Sequence, residues 1–233
     1  MEQYHILVID DEVEIVELIE IYLLNEGYQV LKAFNGSDGI QILEANTVHL
    51  VILDIMMPGI DGLATCRKIR QFNNIPIIML SAKTQDMDKI LGLGTGADDY
   101  MIKPFNPMEL IARVKSQLRR HLYFDKQNLI KTEDSILNIK GLVINKKNHQ
   151  VLLYGKEINL TPTEFDILVL LAGNAGTVFN TEEIFERVWK EKYFESNNTV
   201  MVHIWRLREK IEENPKEPKI IETVWGVGYK IEN

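Results

Sequence analysis

A chain of 233 residues, 45% of them hydrophobic, is long enough for one large domain or two ordinary ones and too apolar to be intrinsically disordered. Its net charge of −8 argues against indiscriminate binding to nucleic acid, although it leaves room for a local basic patch. The single cysteine, Cys66, excludes an intrachain disulfide, and the sequence shows no leader-like or membrane-spanning apolar stretch, so we expect a soluble cytoplasmic protein without membrane contact.

Short apolar segments alternate with amphipathic helical patterns through the first half of the chain. Such alternation predicts parallel strands with helices on both faces of the sheet. The predicted strands span 4–9, 28–34, 49–54, 75–81 and 98–102, and the predicted helices span 12–27, 36–46, 61–72, 84–94 and 107–120. Five such units favour one doubly wound α/β domain over residues 1–121.

The second half of the chain has a different pattern of predicted strands and helices. A polar segment without periodicity, 122–135, is predicted to be a linker. Short antiparallel strands, three helices and a hairpin are predicted in the order 138–161, 161–176, 181–189, 199–214 and 219–232. Thr161, Pro162 and Glu164 form a helix-start signature. The pattern predicts a winged helix-turn-helix domain over residues 136–233.

The predicted strands of the first half end on polar side chains. The first strand ends at Asp10 and Asp11, the third at Asp54 and the fourth at Ser81, and Lys103 follows the fifth. Ligands of a doubly wound sheet bind beyond the carboxyl ends of its strands. Because neighbouring carboxylates repel each other, we expect a hard cation, Mg²⁺ or Mn²⁺, to join them. A carboxylate nucleophile, a metal ion, a lysine and a hydroxyl form a set suited to phosphoryl transfer.

Four motifs follow one another in strand order: VIDDE (8–12), LDIMMPGIDG (53–62), MLSAK (79–83) and GADDYMIKPF (96–105). In this combination they resemble the receiver domain of two-component response regulators. The resemblance implies a five-stranded parallel sheet in the order 2-1-3-4-5. It also implies that Asp54 accepts a phosphoryl group from a sensor histidine kinase.

The same resemblance implies roles for the residues around Asp54. Mg²⁺ would be bound directly by Asp11, Asp54 and the backbone carbonyl of Met56, and Asp10 would help to bind it through water. Lys103 would pair with the phosphoryl group, and its peptide bond to Pro104 would be cis. Ser81 and Tyr100 would act as the switch that turns towards the phosphorylated site.

A symmetric homodimer of the phosphorylated protein is also implied, through the predicted fourth helix, fifth strand and fifth helix. Its expected interface residues are Lys89, Asp98, Asp99, Glu109 and Arg113, with Lys115 nearby. Two pairs are expected to cross the two-fold axis: Lys89–Glu109 and Asp99–Arg113. Gly94 stands where relatives often carry an acid that pairs with Lys115. A solvated charged surface is the alternative interpretation.

The helix predicted at 199–214 combines apolar positions with basic ones, and such a helix can enter the major groove of DNA. The residues expected to contact DNA are Asn197, Asn198, Thr199, His203, Arg206, Arg208 and Lys210 in the helix, and Thr223, Trp225 and Tyr229 in the hairpin. From residue 132 on there are 13 Lys and Arg against 16 Asp and Glu, so an ordinary surface helix is the alternative. DNA binding would therefore depend on one face and on dimerisation.

Three motifs of the second half resemble the winged-helix effector of the OmpR/PhoB subfamily: LTPTEFDILVLL (160–171), NNTVMVHIWRLREKI (197–211) and TVWGVGYKI (223–231). The resemblance implies a recognition helix at 197–211, a DNA-contacting wing at 223–229 and a loop near 190–196 that faces RNA polymerase. Trp205 and Trp225 stand where relatives often carry arginine, and Trp205 is not expected to contact bases.

The chain is also similar to VanR-type regulators of glycopeptide resistance, through IPIIMLSAK (75–83), PFNPMELIARVKSQLRR (104–120), SNNTVMVHI (196–204) and TVWGVGYKIE (223–232). This likeness implies a VanS-type sensor kinase as the partner. It also implies control of genes that remodel cell-wall precursors, and hence of resistance to glycopeptides such as vancomycin.

Three other functions are alternatives to a phosphorylation-switched regulator. A Mg²⁺-dependent aspartyl phosphatase usually carries a second aspartate two residues after its nucleophile, where this chain has Met56. A nucleotide-binding domain is disfavoured because GLGTG (92–96) precedes a strand instead of opening a helix. A regulator that binds DNA independently of phosphorylation remains open. The leading prediction is a promoter-binding regulator that is not an enzyme.

Overall fold

A computed structural model describes residues 4–82, 92–126, 135–190 and 199–233, with side chains described up to residue 119 in the second of these ranges. The chain divides into two compact units, residues 1–121 and 122–233, here called the N-terminal and C-terminal units. Among the described residues, no helix is long and apolar enough to span a membrane.

The N-terminal unit is built on a five-stranded parallel sheet. Its strand order is β2-β1-β3-β4-β5, which confirms the predicted order. The strands are β1 (His5–Ile9), β2 (Gln29–Ala33), β3 (Leu50–Asp54), β4 (Ile77–Ser81) and β5 (Asp99–Ile102). The described helices are α1 (Val13–Asn25), α2 (Gly36–Ala45), α3 (Gly62–Ile69) and α4 (Pro107–Lys126). Strands β3 and β4 are buried along their whole length, as expected for the centre of a sheet covered on both faces.

Strand register brings the predicted site residues to one edge of this sheet. Ile9 of β1 pairs with Leu53 of β3, so Asp10 and Asp54 follow these paired residues at neighbouring strand ends. Ser81 pairs with Ile102 at the ends of β4 and β5. Helix α3 packs against β3 and carries the buried thiol of Cys66, whose Sγ lies 3.7 Å from the Thr95 carbonyl oxygen.

Two elements differ from the sequence-based expectation. The helix predicted at 84–94 lies largely outside the described residues, although 92–94 have helical backbone that ends in a turn. Helix α4 continues to Lys126, into the predicted linker, whereas 127–134 lie outside the described residues. The segment HLYFDK contains neither glycine nor proline, so nothing in it stops a helix that is already formed.

The C-terminal unit has the predicted winged-helix architecture. An antiparallel sheet contains β6 (Ile136–Ile139), β7 (Leu142–Asn145), β8 (Gln150–Leu153) and β9 (Lys156–Ile158). Three helices follow, α5 (Pro162–Ala172), α6 (Thr181–Trp189) and α7 (Thr199–Ile211). The chain then forms the hairpin of β10 (Ile221–Val224) and β11 (Gly228–Ile231). One apolar core joins the helices to both sheets.

Capping boxes start two of these helices. At α5 the Thr161 side chain accepts a hydrogen bond from the Glu164 backbone, and the Glu164 carboxylate accepts one from the Thr161 backbone, as the sequence predicts. Helix α6 has the same arrangement with Asn180 and Glu183. Asn180 thus caps the helix that the sequence predicts at 181–189.

Candidate functional site

The ammonium group of Lys103 lies at the centre of the acidic edge of the N-terminal sheet. Its Nζ is 2.7 Å from Asp54 Oδ1, 2.8 Å from Asp10 Oδ2 and 3.2 Å from Glu12 Oε1. Asp10 and Asp54 are buried, whereas the Glu12 side chain is open to solvent. The structure therefore brings together the residues that three separate strand ends supply.

Backbone groups fix the two buried carboxylates. The Met56 N–H donates to Asp54 Oδ2 at 2.6 Å, and the Glu12 N–H donates to Asp10 Oδ1 at 3.0 Å. Gly62 packs so closely behind β3 that a Cβ atom there would lie 2.0 Å from the Asp54 carbonyl oxygen. The absence of a side chain at Gly62 lets α3 start directly behind the phosphoacceptor candidate.

Burial and charge act in opposite directions on the ionisable groups of this site. Burial raises the pKa of Asp10, and hydrogen bonds from Lys103 and from the Glu12 backbone partly offset that rise. Burial alone would lower the pKa of Lys103, but its hydrogen bonds to Asp10 and Asp54 outweigh burial and raise that pKa well above its usual value. Lys103 therefore remains a cation throughout the physiological pH range.

The donor set fits a divalent metal ion. Oxygen atoms of Asp10, Asp11 and Asp54 all lie within 4.8 Å of one another, and Asp11 is not buried. Carboxylate oxygens with open access to water are the ligands that Mg²⁺ prefers. One lysine cannot neutralise three carboxylates, so the site retains an excess of negative charge that favours a bound cation.

The expected switch residues lie beside this site. Ser81 ends β4 and is buried, and its carbonyl oxygen accepts a 2.7 Å hydrogen bond from the Lys103 backbone. Tyr100 lies on β5 opposite Met79 and is 6% exposed, so its ring already lies inside the unit. The peptide bond between Lys103 and Pro104 is cis, as the resemblance implies.

Three of the charged residues expected at a dimer interface, Asp99, Glu109 and Arg113, are paired within the chain. Arg113 Nη1 donates to both carboxylate oxygens of Asp99, at 2.9 and 2.8 Å, and the other guanidinium nitrogens contact Glu109. Lys115 lies 2.6 Å from Glu26, the C-cap residue of α1. These pairs join β5, α4 and α1 inside one chain.

Asp98 differs from the expectation. It is fully buried and pairs at 2.8 Å with Arg70, which also donates hydrogen bonds to backbone carbonyls next to β4 and β5. Its side chain therefore holds the sheet edge to α3 and is not available at the surface. Lys89 lies outside the described residues.

In the C-terminal unit, the cations of α7 are held by acceptors inside the unit. Lys210 Nζ lies 2.6 Å from Oε2 of the fully buried Glu164, and Arg206 Nε lies 3.6 Å from Oε1 of the same carboxylate. Arg208 donates hydrogen bonds to the Ile221 carbonyl oxygen and to Thr223 Oγ1. These contacts fix α7 to the start of α5 and to the hairpin.

The expectation of an exposed basic face is wrong for part of α7. Thr199, His203 and Arg208 are buried, and the His203 ring lies 5.5 Å from the ring of Trp189. The reason is helical geometry, because positions 203 and 208 adjoin Ile204 and Leu207 on the side that packs into the core. Asn197 and Asn198 lie outside the described residues.

The most exposed side chains of α7 and the hairpin are instead largely apolar. Met201 is 46% exposed and Trp205 is 42% exposed, and Trp225 at the hairpin tip is 90% exposed. Tyr229 is half-buried, and the guanidinium carbon of Arg208 lies 5.6 Å from the centre of the Tyr229 ring.

Two residues that organise these sites are not predicted to do so from the sequence. Glu12 was treated only as part of the acidic motif, although it also contacts Lys103. Glu164 was assigned to the capping box, which is correct, but its second role as the partner of α7 was not foreseen. A buried glutamate at a helix start was the available signal, since a buried carboxylate needs a cationic partner.

Comparisons with known proteins agree with this geometry. The model of the response regulator receiver domain matches residues 6–115, and the model of the C-terminal domain of transcriptional regulatory proteins matches residues 155–231. The chain is 49% identical to the regulatory protein VanRc of Enterococcus gallinarum over 227 residues, which cover 97% of this chain and 98% of that one. The same identity and coverage hold, over 228 residues, for the regulatory protein VanR of Enterococcus faecium.

Among solved structures, the chain is similar to the response regulator DrrB of Thermotoga maritima, an OmpR/PhoB homolog. The two are 33% identical, with a TM-score of 0.52 and coverage of 100% of both chains.

Proposed function

Because the chain belongs to the response regulators of the OmpR/PhoB type, with a receiver domain and a DNA-binding transcriptional regulatory domain, we propose that phosphorylation of Asp54 switches its activity as a transcription regulator. The observation that carries the proposal is the position of Lys103 Nζ, 2.7 Å from Asp54 and 2.8 Å from Asp10 at the open ends of β1 and β3.

The proposed reaction uses Asp54 as the nucleophile. A carboxylate oxygen of Asp54 attacks the phosphorus of a phosphohistidine on a sensor kinase, the phosphorus–nitrogen bond breaks, and the histidine leaves with a proton while an acyl phosphate forms. Lys103 is placed to neutralise charge on the transferred oxygens. Mg²⁺, held by Asp10, Asp11, Asp54 and the carbonyl of Met56, would supply further neutralisation of that charge.

In the proposed switch, the charge added at Asp54 leads to a movement of Tyr100 on β5. A phosphoryl group brings roughly two negative charges and three acceptor oxygens. The Ser81 hydroxyl, at the end of β4, would donate to one of these oxygens, and Tyr100 would follow it because β4 and β5 are paired. The groups that now pair inside the chain, Asp99 with Arg113, would then exchange partners across the two-fold axis of a homodimer.

The proposed partners follow from the same family. A sensor kinase, VanS-like if the likeness to VanR extends to the signal, would supply the phosphoryl group in the cytoplasm. Helix α7 and the hairpin would bind promoter DNA, and the loop near 190–196, most of which lies outside the described residues, would face RNA polymerase. The proposed target genes are those of glycopeptide resistance. Promoter occupancy across the host genome, with and without vancomycin, tests that last point.

The phosphorylation proposal is tested by the intact mass of the full chain after incubation with acetyl phosphate and Mg²⁺, followed by sizing. We expect a single phosphoryl adduct and a shift to dimer. Asp54→Asn should remove the adduct without unfolding the protein. Asp38→Asn, a charge-matched change at an exposed carboxylate on α2, should leave it in place.

Two outcomes would contradict the proposal. An adduct that persists in Asp54→Asn would show that another residue is the phosphoacceptor. A wild-type chain that gains no adduct from acetyl phosphate or from a phosphorylated kinase would favour the alternative of a regulator that binds DNA independently of phosphorylation.

A further inference from the structure

Helix α7 presents an apolar stripe, defined here as Met201 and Trp205, where a DNA-contacting helix would be expected to present cations. The two residues are four positions apart and therefore adjacent on one face, and both are more than two-fifths exposed. The indole N–H of Trp205 donates to Glu209 at 3.1 Å, so the ring offers carbon surface to a partner.

The cations of the same helix are engaged on other faces. Arg206 and Lys210 contact the buried carboxylate of Glu164, and Arg208 is buried against the backbone of β10. Base contacts by these guanidinium and ammonium groups would require breaking pairs that hold α7 in place. The stripe, in contrast, is available without any rearrangement.

The major groove has one carbon group that such a stripe can recognise, the C5-methyl of thymine. We propose that Met201 and Trp205 are specificity-determining residues that contact thymine methyl groups, so that the operator carries A·T pairs opposite them. The inference rests on the proposed function, since it assumes that α7 enters the major groove. It replaces the sequence-based expectation that Trp205 makes no base contact.

The dimensions of the stripe suit this role. Four residues of helix span about 6 Å, and successive base pairs are about 3.4 Å apart, so the two side chains reach methyl groups about two steps apart. Two side chains are too few for a stable protein interface, which needs about 800 Å² from each partner. Glu209 beside the stripe disfavours approach to a phosphate, which leaves the base edges as the matching surface.

The test begins with selection of a binding site from random 30-base-pair duplexes by the full chain, phosphorylated with acetyl phosphate. Each thymine of the recovered site is then replaced by deoxyuridine, which removes only the methyl group. We expect the dissociation constant to rise about fourfold for each contacted methyl group. At these positions the penalty should disappear in Trp205→Ala or in Met201→Ala.

Ile136→Ala is the matched control, because Ile136 is an exposed apolar residue of the same unit that lies on β6, outside α7 and the hairpin. It should leave the deoxyuridine penalties unchanged. Urea unfolding of each variant establishes that the C-terminal unit is intact, and the two separate alanine variants keep the test decisive if one of them fails to fold.

The outcomes separate the inference from the function beneath it. If no site is recovered from the library, the proposed DNA binding itself fails. If a site is recovered but deoxyuridine has no effect, or if its penalties persist in both alanine variants, DNA binding stands and the role of the stripe is overturned.

Discussion

The two units contain charge clusters that are built in opposite ways. In the N-terminal unit one cation, Lys103, lies between the carboxylates of Asp10 and Asp54. In the C-terminal unit one buried carboxylate, Glu164, lies between Lys210 and Arg206. The first cluster stands at open strand ends with an excess of negative charge, and the second lies between helices. The first cluster therefore has carboxylates left over for a further cation, whereas the second is a structural joint between α5 and α7.

The largest expected effect tests the structural joint. Glu164→Ala removes a fully buried carboxylate, leaves two cations without their partner and deletes half of a capping box. We expect the free energy of unfolding of the C-terminal unit to fall by about 3–5 kcal/mol. Urea unfolding followed by tryptophan fluorescence measures this unit alone, because Trp189, Trp205 and Trp225 all lie in it. An unchanged midpoint would show that the joint contributes nothing.

A smaller effect is expected where charges pair on β5 and α4. Arg113→Ala removes the guanidinium nitrogen that donates to both carboxylate oxygens of Asp99, a residue that is only 5% exposed. We expect a loss of about 1–3 kcal/mol, measured as faster amide hydrogen exchange in peptides from β5 and α4. Exchange that matches the wild type would mean that these side chains pair mainly between chains.

The open cluster can be tested through metal binding. Lys103→Met removes an ammonium group that competes with a divalent cation for Asp10 and Asp54. We expect Mg²⁺ to bind about tenfold more tightly, a difference of about 1.4 kcal/mol, measured by isothermal titration of the full chain. Lys32→Met, which removes an exposed cation on β2, serves as the control. Weaker binding in Lys103→Met would show that the lysine organises the carboxylates instead of competing with the metal ion.

The smallest effect on stability is expected for an ion pair that is exposed to solvent. Glu213 and Lys219 form a 2.9 Å ion pair in which both side chains are more than three-quarters exposed. Exposed pairs are screened by solvent and contribute little. We therefore expect Glu213→Ala to leave the urea midpoint of the C-terminal unit unchanged, and a clear shift would show that exposure is a poor guide to the strength of these contacts.

Much of the N-terminal site could be predicted because strand order converts sequence positions into neighbours. Once β1 and β3 are adjacent and parallel, Asp10 and Asp54 must lie close together, and the motif order supplied that adjacency. The capping box at Thr161 was equally accessible, since it depends on residues three positions apart.

The C-terminal surface was harder to predict because it depends on contacts between distant segments. Glu164 and Lys210 are 46 positions apart, and no local pattern indicates that they meet. The burial of His203 and Arg208 was within reach, because both adjoin apolar positions of α7 that repeat every three or four residues. Placing both residues on a basic face ignores these apolar neighbours, which put them on the packed face.

The alkylation rate of the buried thiol of Cys66 can be used to measure how often the N-terminal unit opens. This unit has no tryptophan, but it contains the single cysteine of the chain, which lies on α3 and is fully buried. A thiol in that position reacts with an alkylating reagent only when the surrounding structure opens. The rate of its modification therefore reports transient openings of the N-terminal unit, while fluorescence reports on the C-terminal unit of the same unlabelled chain.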